Sequence, residues 1–200
     1  MALKRNSKLD SLDRVQVHSR EDWRAWLKKN HTRAEGIWLI TFKKHVEDKY
    51  VDYDAIVEEA LCYGWVDSRP RLLDADRRML FIAPRKPKSV WSKLNKERVA
   101  RLIKRGSMAA PGLKKIEEAK QDGSWSAIDH VEALTVPVDL AKALAKNKAA
   151  QEHFDAFPPS SRKIILLWVT SAKTERTRRK RIAATVELAA KNIRANHYRQ

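Results

Sequence analysis

The 200-residue sequence contains one cysteine and only five glycines. A single cysteine, Cys62, excludes an internal disulfide and any metal site built from several cysteines. The glycines are scattered and form no glycine-rich phosphate loop. No apolar run approaches the roughly 18 residues that span a membrane, and the first fifteen residues lack the apolar segment of a secretory signal. These absences predict a soluble, cytoplasmic protein without a metal or another cofactor.

Acidic residues are also scarce relative to basic ones. The chain has 42 lysines and arginines against 25 aspartates and glutamates, which gives a formal net charge of +17. Most of this excess lies in residues 69–105 and 173–181. Such clusters create a local positive potential that attracts polyanions or small anionic molecules. The alternative is a solvated surface that only keeps the protein soluble.

The hydrophobic pattern predicts an α+β fold with two domains. Residues 1–17 are polar and are expected to form a flexible arm. Residues 18–125 are expected to form an α+β domain with a small three-stranded antiparallel sheet and helices. Its strands are predicted over residues 36–42, 65–73 and 79–82, and the last two form a hairpin across a polar turn.

Residues 135–200 contain apolar side chains at helical spacing and no strand signal. This pattern predicts a C-terminal all-helical bundle after a connection at residues 124–136. Trp65 in the first domain and Trp168 in the second lie in apolar runs, so both are expected in hydrophobic cores.

The main candidate site combines the segment GWVDS at 64–68 with PRKPKSVWSKLN at 84–95. Side chains alternate along a strand, so Trp65 and Asp67 are expected on one face of the sheet. Ser89 is predicted to cap a helix whose free N–H groups point toward this region. The candidate anion-binding residues are Asp67, Arg85, Lys86, Ser89, Trp91, Ser92 and Asn95.

In this hypothesis Arg85 anchors the anion, and Asp67 orients Arg85 through a charge-assisted pair. The alternative is structural: Trp65 and Trp91 belong to the core, Asp67 pairs with Arg85 or caps a backbone group, and Ser89 is only a helix cap. No nucleophile and base can be paired in the sequence, so a catalytic residue is not assigned and enzymatic activity stays open.

A second candidate site lies in the first turns of the last predicted helix. Positive charges there oppose the helix dipole, which favours acidic residues at this end. A local rule broken in this way can mark a functional site, or nearby acids such as Glu175 can offset it. The candidate polyanion-binding residues are Arg176, Arg178, Arg179, Lys180 and Arg181.

Four segments carry a resemblance to a known family: ALCYGWVDS at 60–68, PRKPKSVWSKLN at 84–95, LIKRGSMAAPGLKKIEEAKQDGSW at 102–125 and AKTERTRRKRI at 172–182. With these segments the sequence resembles the YdeI/OmpD-associated family, also called bacteriocin-protection proteins. The resemblance implies an OmpD-associated-like C-terminal domain and a role in stress or antimicrobial resistance.

Two functions are compatible with these observations. A pI of about 10.1 and two basic clusters favour a protein that binds a polyanion such as DNA or RNA, although no helix-turn-helix, zinc-finger or RNP signature is present. The alternative is a pocket protein or enzyme that acts on a small anionic ligand where the sheet meets the helix predicted at residues 89–105.

Overall fold

The computed structural model describes residues 9–197 of the chain. These residues form two compact units, one ending at Trp125 and the other beginning at Ser126. The first unit combines a mixed sheet with helices, and the second is helical. The α+β class expected from the sequence is therefore confirmed.

The sheet has four strands in the order β1-β2-β4-β3. The strands are β1 (Arg14–Gln16), β2 (Ile37–Phe42), β3 (Trp65–Leu72) and β4 (Arg77–Pro84). The three antiparallel strands were expected, but β1 adds a fourth that runs parallel to β2. It comes from the predicted arm, whose residues 1–8 lie outside the described part. Three residues are too few to show the alternation by which a strand is predicted.

From residue 9 to Trp125 the first unit contains four α-helices, namely α1 (Arg20–Asn30), α2 (Tyr53–Cys62), α3 (Lys93–Lys104) and α4 (Ala110–Gln121), and one turn of 3-10 helix at Glu47–Lys49. Ser19 and Asp52 cap α1 and α2 as their sequences indicate, each accepting a backbone N–H. The cap of α3 is Ser92, so the prediction that Ser89 caps this helix is wrong. The reason is a turn before it, in which Lys88 has a positive φ of 59° and the Ser89 hydroxyl donates to the Lys86 carbonyl.

The core of the first unit lies between the sheet and the helices. Ile37, Leu39 and Ile82 face α1 and α2 and pack with Trp23 and Trp65. The opposite face of the sheet carries a smaller apolar cluster, with contributions from the segment before β1. Both faces are therefore covered, which explains why β2 is almost continuously apolar instead of alternating.

The second unit contains α5 (Asp129–Glu132), α6 (Val138–Leu144), α7 (Lys148–Ala156), α8 (Pro159–Thr170) and α9 (Glu175–Ala190). Phe154, Ile165 and Leu166 are at the centre of its core. Trp168 is only partly buried, in contrast to the expectation, and the guanidinium of Arg181 lies over its ring. No helix among residues 9–197 is long and apolar enough to cross a membrane.

Candidate functional site

Arg85 is a buried side chain that stabilises its own loop. It is 5% exposed, and its guanidinium carbon lies 3.8 Å from the centroid of the Trp91 ring. Its Nη1 donates to the Val90 carbonyl at 3.0 Å and more weakly to Ser89. Burial lowers the pKa of this guanidinium to about 10. These contacts occupy Arg85 inside the loop, whereas the sequence suggested an anchor for an external anion.

Asp67 is positioned by a tyrosine. The Tyr53 hydroxyl, at the start of α2, donates to Asp67 Oδ2 at 2.5 Å. Burial and this hydrogen bond raise the pKa of Tyr53 to about 12. The negative charge of Asp67 favours the protonated form of Arg85, but neither a hydrogen bond nor an ion pair joins the two in the described chain. The direct pair expected between them is therefore not formed.

The remaining predicted residues of the first site surround the junction of the sheet and α3. Trp91 is buried against Trp125, and the side chain of Asn95 accepts a hydrogen bond from Arg98. Lys86 is exposed. The cleft that Arg85, Lys86, Ser89 and Trp91 help to line has a volume of about 10 Å³, which is close to the minimum for one water molecule. The cleft is therefore too small to enclose an organic ligand, and binding of an anion by these residues stays a prediction.

A larger cavity of about 270 Å³ lies between the sheet and the first turns of α2. Asp67 is the member of the predicted site that lines it. The other lining residues were not expected from the sequence. They are Thr41, Tyr53, Ile56, Ser68, Pro70, Arg78, Met79 and Leu80. Arg78 was visible only as one of thirteen basic residues in the segment 69–105. No sequence signal distinguishes it from the others.

In the second unit, two arginines of the C-terminal cluster connect helices. Arg178 donates from Nε and Nη2 to the two carboxylate oxygens of Asp139, at 2.5 and 2.8 Å. This contact lowers the pKa of Asp139. Arg181 donates to the Trp168 carbonyl and to the Ser171 hydroxyl. Because unpaired carbonyls at a helix C-terminus favour cations, Arg181 stabilises the end of α8 from its position within α9.

The other cations of this cluster face outward. Arg179 forms a surface ion pair with Glu175 at 3.2 Å. Lys173, Arg176 and Lys180 are exposed, and none has an acidic partner within the described part of the second unit. Arg176 and Lys180 are four residues apart on α9, so they lie on the same face of the helix.

Residues 15–115 match a family described as a domain of unknown function, DUF8412. This match covers just over half of the 200 residues, so the chain belongs to that family. Residues 133–192 match the family described as bacteriocin-protection, YdeI or OmpD-associated, which confirms the resemblance seen in the sequence. Comparison with curated proteins and with solved structures finds no match.

Proposed function

We propose that this protein binds a polyanion, DNA or RNA, with the exposed face of α9. The observation that carries the proposal is the contrast within one basic cluster. Arg178 and Arg181 are occupied by a carboxylate and a helix end, whereas Lys173, Arg176 and Lys180 point outward. These three cations supply the local positive potential that a phosphate backbone requires.

The position of the cations on the helix also suits phosphates. Four residues of an α-helix rise about 6 Å, so Arg176 and Lys180 can reach neighbouring phosphates of one strand, which follow each other every 3.4 Å or so along the duplex axis. The N-terminus of α9 adds a partial positive charge. Its free N–H groups are only partly used, one of them by the Thr174 cap.

The test is a salt titration with a matched control. The affinity of the full chain for a fluorescent DNA duplex and for an RNA of the same length is measured by anisotropy at several salt concentrations. The double substitution R176Q/K180Q removes two proposed contacts, so the slope of log K against log[salt] should flatten by about 1.8 on duplex DNA. The control K142Q/K146Q removes two exposed lysines of the same unit and should change the slope much less.

Two results would overturn the proposal. One is the absence of DNA and RNA binding at low salt. The other is an equal loss in both double variants, because that would show attraction by total charge without a contact surface on α9.

The match of residues 133–192 supports a biological context for this binding, namely protection against bacteriocins. Loss of the gene in its host is expected to increase sensitivity to a bacteriocin. The wild-type chain should restore protection and R176Q/K180Q should not. If both restore protection equally, that role does not depend on the α9 surface.

A further inference from the structure

We propose that the cavity between the sheet and α2 binds a small organic monocarboxylate with an apolar body, and that Arg78 holds its carboxylate. This site belongs to the first unit and is independent of the α9 surface.

Arg78 is an arginine with few partners. It lies opposite Thr41 in the pairing of β2 and β4, so the two side chains share the face of the sheet that α2 covers. Its Nε donates to Thr41 Oγ1 at a long 3.4 Å, and its Nη2 is buried without a hydrogen-bond partner. Within residues 9–197 no carboxylate pairs with it.

Arg77, the preceding residue on the same strand, has the ionic partner that Arg78 lacks. Arg77 forms an ion pair with Asp74 at 2.7 Å and a hydrogen bond to the Gln16 side chain. A buried N–H without an acceptor is unfavourable, so an acceptor supplied by a ligand would stabilise Arg78. The planar guanidinium fits a carboxylate because both groups present two parallel hydrogen-bonding positions.

The other walls of the cavity determine the rest of the ligand. Ile56, Leu80 and Pro70 provide apolar surface, and Thr41, which is 1% exposed, provides a hydroxyl. A volume of about 270 Å³ lies just below the range of roughly 300–1,000 Å³ of typical ligand pockets. The cavity therefore suits a compact molecule with one aromatic ring or one branched alkyl group.

Asp67 limits the charge of the ligand. Its carboxylate lines the same cavity and accepts the Tyr53 hydroxyl through Oδ2. A second negative charge on the ligand would be repelled by this carboxylate. The site thus favours a monoanion over a phosphate ester, which carries more than one charge near neutral pH.

The first experiment uses the unmodified full chain. Benzoate and 3-methylbutyrate serve as probes in isothermal titration calorimetry, with benzamide as an uncharged analogue of the same shape and phenyl phosphate as the more highly charged one. Benzoate should bind at least about tenfold more tightly than benzamide, because a charge-assisted pair with Arg78 is lost in the amide. It should also bind more tightly than phenyl phosphate.

Variants then assign the contact. R78Q should weaken benzoate binding about tenfold or more and remove the preference over benzamide, since one ionic partner is lost. T41V keeps the shape of the wall and should weaken binding less. R77Q is the matched control, because it removes the same charge from the same strand outside the cavity. Far-UV circular dichroism verifies that each variant is folded.

Four results would overturn the proposal. The first is that neither carboxylate binds the wild-type chain, and the second is that benzamide binds as tightly as benzoate. The third is that phenyl phosphate binds more tightly than benzoate, and the fourth is that R77Q and R78Q weaken benzoate binding equally. If R78Q does not fold, the comparison of benzoate, benzamide and phenyl phosphate on the wild-type chain still decides.

Discussion

The role of Arg85 leads to a quantitative prediction, because its favourable and unfavourable contributions nearly cancel. Stacking on Trp91 at 3.8 Å contributes about 2 kcal/mol when the cation is desolvated. The hydrogen bond to the Val90 carbonyl contributes about 1.5–3 kcal/mol. Against this, burial lowers the pKa from 12.5 to about 10, which corresponds to a cost of about 3 kcal/mol for the charged form. The net contribution of the charge is therefore small.

Two substitutions separate the charge from the packing. R85M keeps an apolar side chain on Trp91 and removes the buried charge, so the free energy of unfolding should stay within about 1 kcal/mol of wild type. R85A also removes the stem and leaves a cavity beside the ring, so it should destabilise the first unit by about 2–4 kcal/mol.

Urea denaturation followed by tryptophan fluorescence is the suitable assay, since six of the seven tryptophans precede Ser126 and so report on the first unit. If R85M is as destabilising as R85A, the charge itself holds the loop and the reasoning is wrong. If R85A is neutral, the stacked geometry on Trp91 is wrong.

Two further predictions concern the packing around the end of α2. Cys62 is 0% exposed, and burial raises the pKa of its thiol to about 11 from 9.0. The folded state therefore keeps a proton that the unfolded state loses, and the contribution of the thiol to stability falls by about 2 kcal/mol from pH 9 to 11. The difference in unfolding free energy between wild type and C62A should narrow over this range, and a pH-independent difference would contradict the assignment. A Cβ at Gly112 would overlap the Cys62 carbonyl oxygen, so G112A should lower the free energy of unfolding by about 1–3 kcal/mol. The control L113A, on the exposed side of the same helix, should change it by less than about 1 kcal/mol in denaturation experiments. Equal effects of the two substitutions would refute the close approach of α4 to α2.

The sequence predicted local structure reliably where the interacting residues are close together in the chain. Serine and aspartate are preferred as helix caps, and Ser19 and Asp52 each accept a backbone N–H at the start of a helix. The polar turn before Arg77 was predicted to join two strands, and it does. In these cases the interaction lies within a few residues, so the sequence pattern contains all of its partners.

The predictions failed where the partner is distant in sequence. β1 is defined by its pairing with β2, in which each residue meets a partner twenty-four positions further along the chain, as Gln16 meets Ile40. The three residues of β1 carry no pattern of their own. The choice between Ser89 and Ser92 as the cap of α3 depends on the turn at Lys88. The orientation of Asp67 depends on Tyr53, which belongs to another element.

Charged side chains in the candidate sites were difficult to predict for the same reason. The sequence gives the number of cations, but it does not show which acceptors they contact in the folded protein. Arg85 donates to loop carbonyls, Arg98 pairs with Asp54, and Arg181 caps α8. These residues were counted in the basic clusters, yet folding uses their charges inside the protein. The cations that our proposals assign to ligands are those without a carboxylate or carbonyl acceptor in residues 9–197, namely Arg176 and Lys180 on α9 and Arg78 in the cavity.

The two proposed cations on α9 are exposed, whereas Arg78 is partly buried, so the two proposals predict a different dependence of binding on salt. Salt screens exposed charges strongly and partly buried pairs much less. Polyanion binding by Arg176 and Lys180, which are exposed, should therefore weaken steeply as salt increases. Carboxylate binding by Arg78, whose Nη2 is buried, should change only slightly over the same range. Equal salt dependence of both would place the carboxylate on the surface and contradict the cavity as its site.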